Sequence, residues 1–122
     1  MPAEIVYYQE DRETVPLVDW LEERPAKALH KCLVRLERLE QLGHELRRPE
    51  TDYLRDDIHE LRASYQGVHY RMLYFFHKRT VVVLSHGLTK ERAVSPREID
   101  LAIRRKQKFD ADPKRHTFKP KG

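Results

Sequence analysis

A single cysteine, Cys32, four glycines and one tryptophan are all that 122 residues contain of these types. One cysteine permits no internal disulfide, so nothing points to an oxidising compartment. No apolar run approaches the ~18 residues of a membrane span, and no basic stretch followed by an apolar one opens the chain. A soluble, cytoplasmic protein with no membrane partner is the expectation. Also missing are the lysine-bearing phosphate loop, the dinucleotide glycine fingerprint and the Gly-x-Ser-x-Gly elbow, which removes nucleotide hydrolases and serine hydrolases. The histidines lack His-Glu-x-x-His spacing and have no cysteine beside them, so neither a metal nor a cofactor is expected.

What is abundant is charge. The formal net charge is +4, but it is unevenly spread: residues 104–122 hold eight Lys and Arg against two Asp. A basic end of this kind favours a polyanion such as nucleic acid, with a solubilising end as the plainer alternative. The length suits one compact domain, taken as residues 1–110, with 111–122 expected as a flexible basic tail because it holds prolines and no apolar periodicity.

Glu4-Ile-Val-Tyr-Tyr8 reads as an N-terminal strand, placed at a sheet edge. From about Asp11 to Glu23, Leu17, Trp20 and Leu21 give one apolar face to a first helix, with Thr14 and Pro16 compatible with its start only if it begins late. Pro25 opens a longer helix with Leu29, Cys32, Leu33, Leu36, Leu39 and Leu42 at helical spacing, stopped by Gly43. Cys32 and Trp20 therefore read as core rather than chemistry. The polar stretch from His44 to Arg55 reads as a loop.

Three strands follow, Ile58 to Tyr65, Val68 to Phe76 and Val81 to Leu84, in an antiparallel meander. Ser95-Pro96-Arg97-Glu98 matches a capping box, with Val94 and Ile99 as a staple, and starts a last helix. The expectation is an α+β fold: an antiparallel sheet of the N-terminal strand plus the meander, packed against two N-terminal helices, with a C-terminal helix.

Alternation along the strands places Ile58, Glu60 and Arg62 on one side of the sheet and His59, Leu61 and Ala63 on the other. It likewise sets Arg71 apart from Tyr70 and Met72. Arginine in a half-buried strand must be paired or must line a cleft. Glu60 can pair structurally with Arg62 or Arg71; the competing reading is an anion site. His86 ends the best strand, where side chains border a cleft, and an unperturbed imidazole near pH 6.5 lets His59 or His86 exchange a proton during phosphodiester cleavage.

Ile58-His-Glu-Leu-Arg62, Tyr70-Arg-Met-Leu-Tyr74, Leu84-Ser-His-Gly-Leu-Thr-Lys90 and Ser95-Pro-Arg-Glu-Ile99, in this order, give the chain its likeness. To about Phe109 it resembles the RelE/HigB toxin superfamily, in the phage-derived HigB-like branch. The resemblance implies a small α+β endoribonuclease of a type II toxin–antitoxin pair that cleaves mRNA on the ribosome without a metal. Its implied partners are mRNA, rRNA and a cognate helix-turn-helix antitoxin.

The resemblance implies Arg71 as the contact to the scissile phosphate, with Arg62 from the Glu-Leu-Arg motif and Lys90 as further cations. At Lys90-Glu91 a carboxylate stands where the branch has a second lysine. His86 and His59 are the candidates for proton transfer, and the resemblance does not apportion acid and base between them. Arg104, Arg105, Lys106 and Lys108 are the expected RNA-binding cations. The alternatives are a ParE-like gyrase inhibitor and a catalytically weak nucleic-acid-binding module on the same fold.

Overall fold

The computed structural model describes residues 1–89 and 92–120. In chain order these form β1 (Glu4–Tyr8), α1 (Pro16–Glu22), α2 (Ala26–Leu42), a 3₁₀ turn (Gly43–Glu45), β2 (Thr51–Arg55), β3 (Ile58–Tyr65), β4 (Val68–His77) and β5 (Val81–Thr89). α3 (Pro96–Ala111), α4 (Pro113–His116) and β6 (Thr117–Phe118) complete them. The fold is α+β, built on one six-stranded sheet in the order β2-β3-β4-β5-β1-β6.

The β3-β4-β5 meander forms as expected, and β2 extends it through antiparallel pairing with β3. Both hairpins at this end use two-residue turns whose central residues are left-handed: Asp56 and Asp57 (φ 50° and 67°), then Gln66 and Gly67 (φ 50° and 79°). Turns with positive φ at both positions match the right-handed twist of the flanking strands. Gly67 takes this conformation without the clash a Cβ brings.

Three expectations need correction. The sheet is mixed rather than antiparallel, because β1 runs parallel to β5, Glu4 opposite Val81 and Tyr7 opposite Leu84. A parallel neighbour needs a long crossover, which α1, α2 and the meander together provide. Residues 44–55 are not all loop, since Thr51–Arg55 is the edge strand β2, with Thr51 buried and its hydroxyl donating to the Glu60 carbonyl at 2.8 Å. The stretch from 111 is not a free tail: β6 pairs with β1, the buried His116 ring stacks on Tyr8 at 5.1 Å, and the Gln9 amide donates to the His116 carbonyl at 2.9 Å.

The sheet divides the core in two. α1 and α2 bury Leu17, Leu21, Ala28, Cys32, Leu36 and Leu39 against Leu61, Ala63, Met72, Tyr74, Val82 and Leu84. Leu33, placed on the apolar stripe from the sequence, is instead exposed. On the opposite face α3 lays Ile99, Ala102 and Phe109 over Ile58, Leu73, Phe75 and Val83. Ser95 caps α3 with its carbonyl rather than its side chain, while Val94 and Ile99 join the same apolar cluster, as a staple requires.

Candidate functional site

The pleat puts Glu60 and Arg62 of β3, Arg71 of β4 and His86 of β5 on the α3 face. Cross-strand register sets two rows there, Glu60–Leu73–His86 and, two residues along, Arg62–Arg71–Leu88. Glu60 has a side chain only 1% exposed, and one carboxylate oxygen, Oε1, accepts from Arg62 Nε at 2.6 Å and from Arg71 Nη1 at 2.5 Å. Its other oxygen has no hydrogen-bond partner among the described residues.

Arg62 reaches further, donating through Nη2 to Asp52 Oδ2 at 3.0 Å, and Arg48 Nη2 approaches the same oxygen at 3.2 Å. The result is a ladder, Arg71–Glu60–Arg62–Asp52–Arg48, in which carboxylates separate three guanidiniums from β4, β3 and the turn before β2. The hydrogen bond to Glu60 holds the Arg62 pKa above its already high ordinary value. Two guanidiniums fixed by a buried carboxylate are oriented before any anion arrives, which is what electrostatic stabilisation of a developing charge requires.

His86 stands in the adjacent row but faces elsewhere. Its Nδ1 lies 2.8 Å from Ser85 Oγ and its Nε2 lies 3.2 Å from Glu98 Oε1 on α3. Burial, then the Arg105 charge, push its pKa below the ordinary histidine range, and Glu98 only partly offsets them. Glu98, read from the sequence as part of a capping box, is thus the partner of His86.

His59 is not part of this group. It projects from the opposite face, where its ring stacks on Tyr74 at 5.1 Å and 15°, so the sheet separates the two candidate proton carriers. Lys90 and its neighbour Glu91 lie outside the described residues.

The four basic residues of α3 do not act alike. Arg104 and Lys108 are exposed, Lys106 bonds Asp110 at 2.8 Å, and Lys108 bonds Glu10 at 3.1 Å. Arg105 is turned inward: Nη1 donates to the Ser85 carbonyl at 3.3 Å, Nε lies 3.6 Å from Glu10 Oε2, and the guanidinium sits 5.3 Å from the Tyr8 ring centre. Arg105, one of the expected RNA-binding cations, thus packs α3 on the sheet through the Ser85 carbonyl, Glu10 and the Tyr8 ring face. Sequence reasoning missed Asp52 because the strand that carries it was missed.

A mixed six-stranded sheet with two helices on one face and a long helix on the other is consistent with the small RelE-like α+β fold. The chain belongs to the phage-derived protein Gp49-like family (DUF891), a toxin-like family whose model matches residues 19–107, from within α1 to within α3. No curated protein matches the chain.

Proposed function

We propose that this protein is the toxin of a type II toxin–antitoxin pair, an endoribonuclease that cleaves mRNA on the ribosome, stops translation and is held in check by a cognate helix-turn-helix antitoxin. The observation that carries the reading is the pair Arg62 and Arg71, held on one buried carboxylate in a chain of a toxin-like family. Cleavage of RNA by its own 2′-hydroxyl needs a base for that hydroxyl, cations for the phosphorane charge and a proton for the departing 5′-oxygen. The arginines supply the electrostatic part, and positioning by the ribosome lowers the demand on acid and base.

Expression without a partner should arrest growth with a sharp fall in amino-acid incorporation, and primer extension should show new 5′ ends within coding sequence. Normal incorporation alongside failing replication or supercoiling would put the target elsewhere. Cleavage is expected to proceed in a chelator that leaves the ribosomes intact.

A second reading is a nucleic-acid-binding module on the same fold that does not cleave. Two features favour it: Glu60 and Asp52 occupy the guanidiniums, and the His86 imidazole is bonded to Ser85 and Glu98. Arrest of translation with transcripts left whole would select it.

A further inference from the structure

The ladder of charges ends at Arg48, and Arg48 also lines a pocket of about 230 Å³ beside the edge strand β2. The rings of this pocket lie on the face away from α3, and it meets the Arg62–Arg71 cluster only through Asp52 and Arg48, which line it and belong to the ladder. Its walls are aromatic. The His44 ring stacks on Phe76 at 3.6 Å and 13°, and the His59 ring stacks on Tyr74. Tyr53, which is 54% exposed, meets His59 edge-on at 5.2 Å and 78°. Arg47 and Arg48 complete the rim, both exposed.

The hydrogen-bonding groups divide into used and unused. Thr51 Oγ donates to the Glu60 carbonyl and so accepts from Tyr74 at 2.6 Å, which commits both hydroxyls to the fold. His44 Nε2 lies 3.2 Å from the Arg79 carbonyl and donates to it, leaving Nδ1 as an acceptor. Neither ring nitrogen of His59 has a hydrogen bond among the described residues, although the side chain is largely buried against three other rings.

We propose that this pocket is a base-binding subsite: it takes one unpaired nucleobase against its rings and seats the adjacent phosphate on Arg47 and Arg48. Each part of the site selects one part of that ligand. Ring faces without cations suit any flat apolar molecule, and cations without rings suit any anion; together they fit a base carrying a phosphate. The imidazole nitrogens of His59 face the polar edge of the base. Size sets a limit too, because the pocket falls below the ~300–1,000 Å³ of clefts that enclose a whole drug-sized ligand. One ring enters and the sugar and phosphate stay outside, near the two guanidiniums. Two imidazoles in a pocket also raise the question of a metal, but among the described residues no three His, Cys, Asp or Glu side chains converge to hold an ion.

The link through Asp52 gives the site a direction. Single-stranded RNA crossing the β2 edge passes from Arg47 and Arg48 to Arg62 and Arg71 without leaving the cation–carboxylate ladder. The identification of the strand as RNA rests on the toxin reading above; the binding of a base does not require cleavage.

The test is titration of the wild-type protein with a single-stranded oligouridylate of six residues, without ribosomes, following the imidazole proton resonances. The His59 and His44 signals should move on saturation, and inorganic phosphate at the same concentration should not move them. Tyr53→Ala and the double substitution R47A/R48A should each weaken oligonucleotide binding about tenfold, the scale of one stacking interaction. The double substitution should also lower the log–log salt slope by about 0.7 for each phosphate it leaves unneutralised. If uridine monophosphate moves the same signals with equal affinity, the pocket stands and its ligand is the free nucleotide. Imidazole signals unmoved at saturation, with affinity unchanged in both variants, would overturn the subsite. Failure of the toxin reading looks different: translation continues on expression while the His59 signals still move.

Discussion

Glu60 and Arg71 differ in what their removal leaves behind. Replacing Glu60 with alanine leaves Arg62 and Arg71 facing one another across adjacent strands without the carboxylate that separates them. Removing one partner of a buried pair costs about 3–5 kcal/mol, so Glu60→Ala should lower the melting temperature by on the order of 10 °C in a chain of this size. Arg71→Ala leaves Glu60 paired to Arg62 at 2.6 Å, and its cost should fall below that range. If Arg71 contacts the scissile phosphate, the same substitution should slow cleavage about a hundredfold or more, a loss of roughly 3 kcal/mol, and relieve growth arrest in a protein that still melts cooperatively. Equal melting temperatures for Arg71→Ala and Glu60→Ala would make Arg71 purely structural. Strand alternation made Glu60 legible as a structural partner for Arg62 or Arg71, with an anion site left open beside it; the structure pairs it with both. Asp52 was not legible, because Asp56-Asp57 does not advertise a tight turn as Asn-Gly does, and without the turn β2 reads as loop.

At the scale of elements, two contacts fix the helices to the middle of the sheet. Gly87 on β5 faces α1, and a Cβ built there would lie 2.3 Å from the Trp20 ring. Gly87→Ala must push the indole out, an overpacking that should cost about 1–3 kcal/mol. Because Trp20 is the sole tryptophan, a red-shifted emission at the same denaturant concentration would report the displacement. On the other face His86 ties β5 to Glu98 of α3.

Burial lowers the pKa of His86 and, independently, of His59. For a histidine depressed in the folded state, the unfolded chain binds the extra proton, so stability is complete above the unfolded value near 6.5 and declines as pH falls toward the folded pKa. The melting temperature should therefore drop between pH 7 and pH 5, and His86→Gln should remove part of that slope while His59 retains the rest. A slope unchanged by His86→Gln would place the titration elsewhere. The helix start at Ser95-Pro96 was plain in the sequence; that Glu98 would serve a histidine on β5 rather than the helix end required the tertiary fold.

For the molecule as a whole, the meander and the three main helices were legible because their periodicities of 2 and 3.6 are written locally, whereas the packing of α3 over the second sheet face was not. The parallel seat of β1 and the docking of β6 were not, since each depends on a partner far along the chain and β6 is only two residues long. Termination before Pro113 removes β6, the His116–Tyr8 stack and the backbone bond from Gln9 to His116. An outer edge of β1 without its partner invites pairing with another chain, so this truncation should melt several degrees lower and elute partly as larger species at high concentration. Coelution and comelting with the full chain would show that β6 contributes nothing to the edge.

The seat of β1 also imposes an order in time. This strand emerges from the ribosome before both of its neighbours: the residue opposite Glu4 is Val81 and the residue opposite Tyr7 on its other side is Phe118. At roughly 5–20 residues per second, on the order of 5–20 seconds of synthesis separate the strand from its last neighbour. Until β5 is made the nascent chain holds a β-prone segment with neither flank occupied, and until β6 is made one flank stays open. A message cut or stalled before the codons of Thr117 and Phe118 releases a sheet with an open side, so products shortened there should be found among aggregates and degradation fragments rather than as a weaker form of the protein.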